Sequence, residues 1–159
     1  DIELDDPNDP TTGSGTITIE AGSVDTGSEQ RDGHLRGADF FDVDKYPTIT
    51  FKVTRVAQQG ENHKVDGDLT IKDVTKPVSL EYEHNGVATD PYGNTKVGGT
   101  LTGTINRKDW GLNWNVPLGN GGLLVSDKIK LEIDGEIAQT KEAVQDAAEA
   151  ETATQGATV

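Results

Sequence analysis

Along most of this chain polar and apolar residues alternate with a period of two, and Gly, Pro, Asn or Asp stand where the alternation stops. Thr16-Ile17-Thr18-Ile19-Glu20 is the first clear case. Successive strand side chains point to opposite faces, so this stretch reads as a strand with one buried face. The alternation resumes after Pro47. Ile49, Phe51 and Val53 share a face of one strand, and Val65, Leu69 and Ile71 share a face of the next, across the break Gln58-Gln59-Gly60-Glu61-Asn62. Val78, Leu80 and Tyr82 lie on a third, which the turn signal Asn85-Gly86 ends. Val97, Gly99, Leu101, Gly103 and Ile105 mark a fourth, and Ile129, Leu131, Ile133, Gly135 and Ile137 a fifth. Strands joined by turn signals, with almost no helix, predict an all-β sandwich or barrel of antiparallel neighbours. Two details favour the barrel. Gly98, Gly99 and Gly103 sit inside a strand, where glycine marks a bend or a close approach. The inward faces also carry little bulk, which leaves room for a cavity.

The remaining segments lack a period of two. Asp5-Asp6-Pro7-Asn8-Asp9-Pro10 is turn chemistry that follows an acidic strand end. Between Ala21 and Tyr46, Ser28 to Leu35 is compatible with a short helix capped by Ser28, and Phe40-Phe41 follows as an apolar plug. Residues 139–159 favour helix but have almost no apolar stripe. They read as a polar, disordered tail with a nascent helix, behind a domain spanning residues 1–138.

Composition narrows the function classes. A chain of 159 residues suits one domain with a real core. Its net charge of −14 argues against nucleic-acid partners and against anionic membrane faces. The acidity reads as solubility or as adaptation to high salt, where self-repulsion is screened. With no cysteine, disulfides and thiolate metal sites are excluded. No apolar run approaches the ~18 residues of a spanning helix. The chain starts at Asp1, has no methionine and shows no targeting segment, so it reads as a processed product or a fragment.

Candidate chemistry is sparse. Asp25-Thr26-Gly27-Ser28 matches the tetrapeptide of aspartic proteases, but its flanks are solvated, and a turn with an Asp cap explains it. His34, His63 and His84 lack metal-ligand spacing, so no metal is expected. There is no G-x-S-x-G elbow and no phosphate loop. Gly119-Asn120-Gly121-Gly122 reads as a strand connection. Trp110 and Trp114 are either the lip of an apolar cavity or a plug closing a barrel end. Arg31, Arg36, Arg107 and Lys108 are scarce cations, suited to pairing with carboxylates or to holding an anionic head group.

Longer motifs carry a resemblance. Gly27 to Asp42, with its Glu29-Gln30-Arg31-Asp32-Gly33-His34-Leu35 core and Phe40-Phe41, resembles the most characteristic stretch of the YceI family. Lys45-Tyr46-Pro47-Thr48-Ile49-Thr50-Phe51, Gly67 to Val78, and Thr104 to Leu112 with Asn113-Trp114-Asn115 are similar to its further motifs, in the same order. The resemblance runs from about Asp1 to Ile137. It implies an extended antiparallel lipocalin-like β-barrel with a short helical insertion and a long interior channel. It also implies binding of polyisoprenoid or other amphiphilic long-chain molecules, and export to the periplasm or another extracytoplasmic compartment, with the cytoplasm as the alternative because some members lack a signal. Members carry two further strands before the position of Asp1. Without them the barrel would expose edges, unless a longer chain, a partner or a homodimer supplies the wall.

Resemblance and alternation together give the expected channel lining: Ile49, Phe51, Val53, Leu69, Ile71, Val78, Leu80, Leu101, Ile105, Trp110, Trp114, Ile129, Leu131 and Ile133. Arg31, His34, Leu35, Phe40, Phe41 and Arg107 would form a lid or head-group site at its mouth. A strand of about ten residues spans roughly 33 Å, enough to shield several isoprene units. The leading expectation is a carrier or sequestering protein for an isoprenoid quinone, a polyprenyl phosphate or a similar lipid, with no cofactor and no catalysis. The alternatives are a small hydrolase or isomerase in the same cavity, and a ligand-free structural stress protein.

Overall fold

Alternation becomes pleated sheet over most of the chain in a computed structural model, which describes residues 1–138. The tail reading for 139–159 lies outside the described residues. The strands are β1 (Ile2–Leu4), β2 (Gly13–Glu20), β3 (Thr48–Gln59), β4 (Asn62–Ile71), β5 (Val74–Thr89), β6 (Thr95–Asn106) and β7 (Lys128–Ala138), with one helix, α1 (Glu29–Arg36), between β2 and β3. They form one seven-stranded sheet in sequence order, antiparallel throughout. Such a meander needs only short connections. The sheet curls into a half-barrel, and β1 and β7 do not pair with each other among the described residues.

Two register shifts depart from strict alternation. Asn85-Gly86 does not end β5. The register steps from His84↔Gly99 to Gly86↔Gly98, and Gly86 has φ +114°. The dipeptide is therefore a bulge rather than a hairpin turn, because glycine accepts the positive φ that an inserted residue needs. The strand continues to Thr89, and the turn falls at Asp90–Asn94, where the Asp90 carboxylate accepts from the Tyr92 and Asn94 backbone N–H groups, both at 2.9 Å. A second shift lies between Val53 and Arg55 in β3. It turns Val56, not Arg55, toward the interior.

Strand polarity gives the half-barrel two distinct ends. At one end lie the α1 segment, the β4–β5 turn and the β6–β7 connection. This end is packed. Phe51, Leu69, Ile71, Leu80, Ile105, Trp110 and Leu112 are buried together there. Trp110 donates its indole N–H to the Leu69 carbonyl at 3.0 Å, so it closes the end without an orphaned donor. At the other end lie the β1–β2, β3–β4 and β5–β6 connections.

Candidate functional site

The open end holds a cavity of about 300 Å³, with mostly apolar walls. Every strand contributes: Ile2 and Leu4 from β1, Ile17 from β2, Val53 and Val56 from β3, Val65 from β4, Tyr82 from β5, Val97 and Leu101 from β6, and Ile133 and Ile137 from β7. Pro10, in the 3-10 turn Pro10–Thr12, completes the wall near the β1–β2 connection. The volume sits at the low end for small-molecule pockets, so the space suits a segment of a long ligand rather than all of one.

Small residues shape the cavity. The Tyr82 ring occupies the position that a β-carbon on Gly99 would take, and the Leu80 side chain does the same at Gly103. The strand glycines of β6 thus admit large side chains from β5, which is the close approach their placement suggested. Polar groups gather beside Tyr82. Its hydroxyl lies 3.4 Å from His84 Nδ1, and its ring is 6.2 Å from that of His63. His63 is buried, and its Nδ1 has no hydrogen-bond partner. Burial raises the Tyr82 pKa further above neutrality than its ordinary value, and the protonated hydroxyl is available as a donor. Asp134 and Glu136 border the cavity on β7 but are exposed, on the face opposite Ile133 and Ile137. Asp134 accepts from the Thr100 hydroxyl at 2.7 Å, and Glu136 pairs with Lys96 at 2.8 Å.

The residues expected to line a channel divide between the two ends. Val53, Leu101 and Ile133 line the cavity. Phe51, Leu69, Ile71, Leu80, Ile105 and Trp110 are buried in the packed cluster, with Ile49, Val78, Ile129 and Leu131 half-buried against it. These side chains are buried against one another at that end, apart from the cavity residues. Trp114 lies outside this cluster. It packs edge-on to His34 at 4.5 Å and tilts against Phe40 at 5.4 Å.

The proposed mouth residues sit at the packed end, opposite the cavity. His34 pairs with Asp39 at 2.9 Å, Phe40 is buried, and Phe41 packs against the core. The Leu35 carbonyl accepts from the Phe41 N–H at 3.0 Å. Arg31 donates to the Thr26 hydroxyl at 2.7 Å and to the Thr26 carbonyl at 2.8 Å. Arg107 is 3% exposed, and its guanidinium is consumed by the carbonyls of Ser126, Leu112 and Trp114 and by Asp127 at 3.2 Å. A guanidinium so occupied ties loops together and has no donor to spare for a head group.

The protease-like tetrapeptide is local scaffolding. Asp25 caps the Gly27 N–H at 2.9 Å, and Ser28 caps α1 through the Arg31 N–H at 3.4 Å. Buried Asp32 accepts from both the Thr26 hydroxyl and the Thr26 N–H, and the hydroxyl contact is the larger cause holding its carboxyl below the ordinary value. Among the described residues no group of three or more His, Asp and Glu side chains is arranged to hold a metal.

Several cavity residues were not singled out beforehand. Val65, Tyr82, Val97 and Ile137 already lay on alternating faces. Val56 was hidden by the β3 register shift. Ile2, Leu4 and Pro10 fall in a stretch too short and turn-rich for a periodic signal.

A curled antiparallel half-barrel with an apolar cavity at one end defines the class of the fold, an antiparallel β-barrel protein. The chain belongs to the YceI-like family, whose domain model matches residues 1–137. A UPF0312 protein of Staphylococcus aureus is 40% identical over 134 residues, covering 84% of this chain and 76% of the relative. Among solved structures, the YceI protein of Campylobacter jejuni superposes with a TM-score of 0.74 at 33% identity, covering 88% of this chain and 80% of that one. BcnA of Burkholderia cenocepacia does so with a TM-score of 0.63 at 25% identity, covering 86% and 81%. No helix among the described residues is long and apolar enough to cross a membrane.

Proposed function

We propose that this chain binds a long-chain, isoprenoid-like lipid in the open-end cavity, as a carrier or sequestering protein, and performs no catalysis. The observation that carries this reading is the apolar cavity to which all seven strands contribute. Membership of a family known for binding polyisoprenoids supports the same ligand class. Val53, Leu101 and Ile133 would contact the chain of the lipid, with Val56, Val65 and Val97 beside them. The packed cluster around Phe51 and Trp110 would form the floor, and the α1 segment would seal that floor rather than gate the cavity.

The polar groups favour an uncharged head. No Lys or Arg belongs to the lining, and neighbouring Lys96 is already paired with the exposed Glu136. A phosphate there would be desolvated without a compensating cation. A quinone carbonyl or a hydroxyl can instead accept from Tyr82. An isoprenoid quinone therefore fits better than a polyprenyl phosphate. Among the described residues the outer edges of β1 and β7 have no strand partner, and a further strand from a longer chain or a second copy would complete the wall there. Residence in the periplasm or another extracytoplasmic compartment fits such a carrier.

Competition tests this reading. An isoprenoid quinone should displace an apolar fluorescent probe from the purified protein, and a polyprenyl phosphate of equal chain length should displace it far less. Failure of both would reject the lipid reading. Preferential displacement by the phosphate would reject the uncharged head alone.

A further inference from the structure

The tip of the β6–β7 connection gathers four of the seven exposed large hydrophobic side chains among the described residues: Val116 and Leu118 at 40% exposure, Leu123 at 54% and Leu124 at 57%. The chain is 26% charged, yet no charged residue occurs between Asp109 and Asp127. Singly exposed leucines are ordinary on protein surfaces. Four on one uncharged tip are not scattered.

The tip is also built to stay exposed. Asn115 clamps its two arms, donating to the Val125 carbonyl at 2.7 Å and accepting from the Val125 and Val116 N–H groups, both at 2.9 Å. Arg107 holds the base through the Trp114 and Ser126 carbonyls. Within the tip, Leu118 donates to the Gly122 carbonyl at 2.8 Å, Gly121 to Leu118 at 3.0 Å, and Leu124 to Val116 at 3.0 Å. Pro117 has no N–H to satisfy. These bonds reduce the number of backbone groups left to desolvate when the tip enters an apolar medium, where each unpaired group would cost several kcal/mol.

Charge is distributed to match. Lys128 and Lys130 are exposed on β7 beside the tip, and neither makes an ion pair among the described residues. Asp5, Asp6, Asp9 and Asp90 lie on the connections at the opposite end. An apolar tip flanked by free lysines, with an acidic pole turned away, matches the profile of a lipid interface, where aliphatic side chains enter the acyl boundary and lysines reach phosphates. The patch is too small for a stable protein interface, which buries about 800 Å² per side.

We propose that the Val116–Leu124 tip docks this protein on a lipid bilayer by inserting its four aliphatic side chains into the headgroup boundary. The tip and the cavity lie at opposite ends, so this holds whatever the cavity binds. The chain has no cysteine, which allows a unique reporter. An environment-sensitive fluorophore on Leu123→Cys should shift to the blue on addition of phosphatidylcholine vesicles. The same label on Tyr92→Cys, 88% exposed at the far end, should not. The pair Leu123→Ser and Leu124→Ser should co-sediment with these vesicles about tenfold more weakly than the unsubstituted chain. No shift at position 123, an equal shift at position 92, or unchanged co-sedimentation of the serine variant would overturn the proposal. So would a shift at position 123 that follows protein concentration without vesicles, since the tip would then be meeting a second copy.

Discussion

The Tyr82 ring on β5 lies across Gly99 on β6, in the space that any β-carbon at position 99 would occupy. This contact places a phenol beside the cavity and keeps the β6 backbone close to it. Gly99→Ala forces the ring out of its position. Overpacking of this kind costs roughly 1–3 kcal/mol. The variant should therefore unfold earlier in urea and bind an apolar probe more weakly. In a Tyr82→Leu background the same substitution should cost clearly less, which a double-mutant cycle would read out. Equal costs in both backgrounds would show that the ring is not what Gly99 accommodates.

Arg107 gives a second expectation. Its guanidinium satisfies three loop carbonyls while buried. Arg107→Met should destabilise the fold by roughly 3 kcal/mol, since those acceptors lose charged donors. Arg107→Lys should recover little, because an ammonium cannot reproduce the planar fork. Tryptophan fluorescence should change as well, since Trp114 is held through its carbonyl. Full recovery by lysine in a thermal melt would contradict this account.

Asp32 gives the acid limb of stability. Its carboxyl is held below the ordinary value of about 3.9, chiefly by the Thr26 hydroxyl and also by the Thr26 N–H. A carboxyl depressed in the native state contributes stability above its ordinary value, and that contribution is lost as pH falls through the native value. Asp9, Asp66 and Asp90 are lowered in the same direction, each through local hydrogen bonds. The thermal midpoint should thus hold between about pH 6 and 5 and fall below about pH 4. Asp32→Asn should show a shallower fall over the acid range. An identical acid limb in that variant would reject the role of Asp32.

Net charge supplies the fourth. With 28 acidic against 14 basic residues, basic side chains are enough to pair with only half of the carboxylates one to one. Screening should relieve their repulsion, so the thermal midpoint should rise between low and molar salt. A flat midpoint over that range would show that the acidity serves solubility alone.

Much of this architecture was legible from alternation. The faces marked by Ile49, Phe51 and Val53 and by Val97, Leu101 and Ile105 do point inward, because a buried face fixes a period-two register. The Ser28 cap was legible for a similarly local reason, an N-cap oxygen placed before a short polar helix. What alternation does not encode is where a strand inserts a residue. The shift after Val53 and the bulge at Gly86 each change which side chains face inward, and only pairing with a neighbour reveals them. Nor does it say how far the interior is filled. Whether Leu69 and Ile105 line a channel or pack into a plug depends on Trp110 reaching the Leu69 carbonyl across the fold.

The binding reading meets its most direct test in lipid extraction followed by mass spectrometry on the protein purified from its native host. The account predicts a stoichiometric, uncharged long-chain isoprenoid, released on denaturation and reduced by Gly99→Ala. Protein that carries no lipid and binds no apolar probe would contradict it.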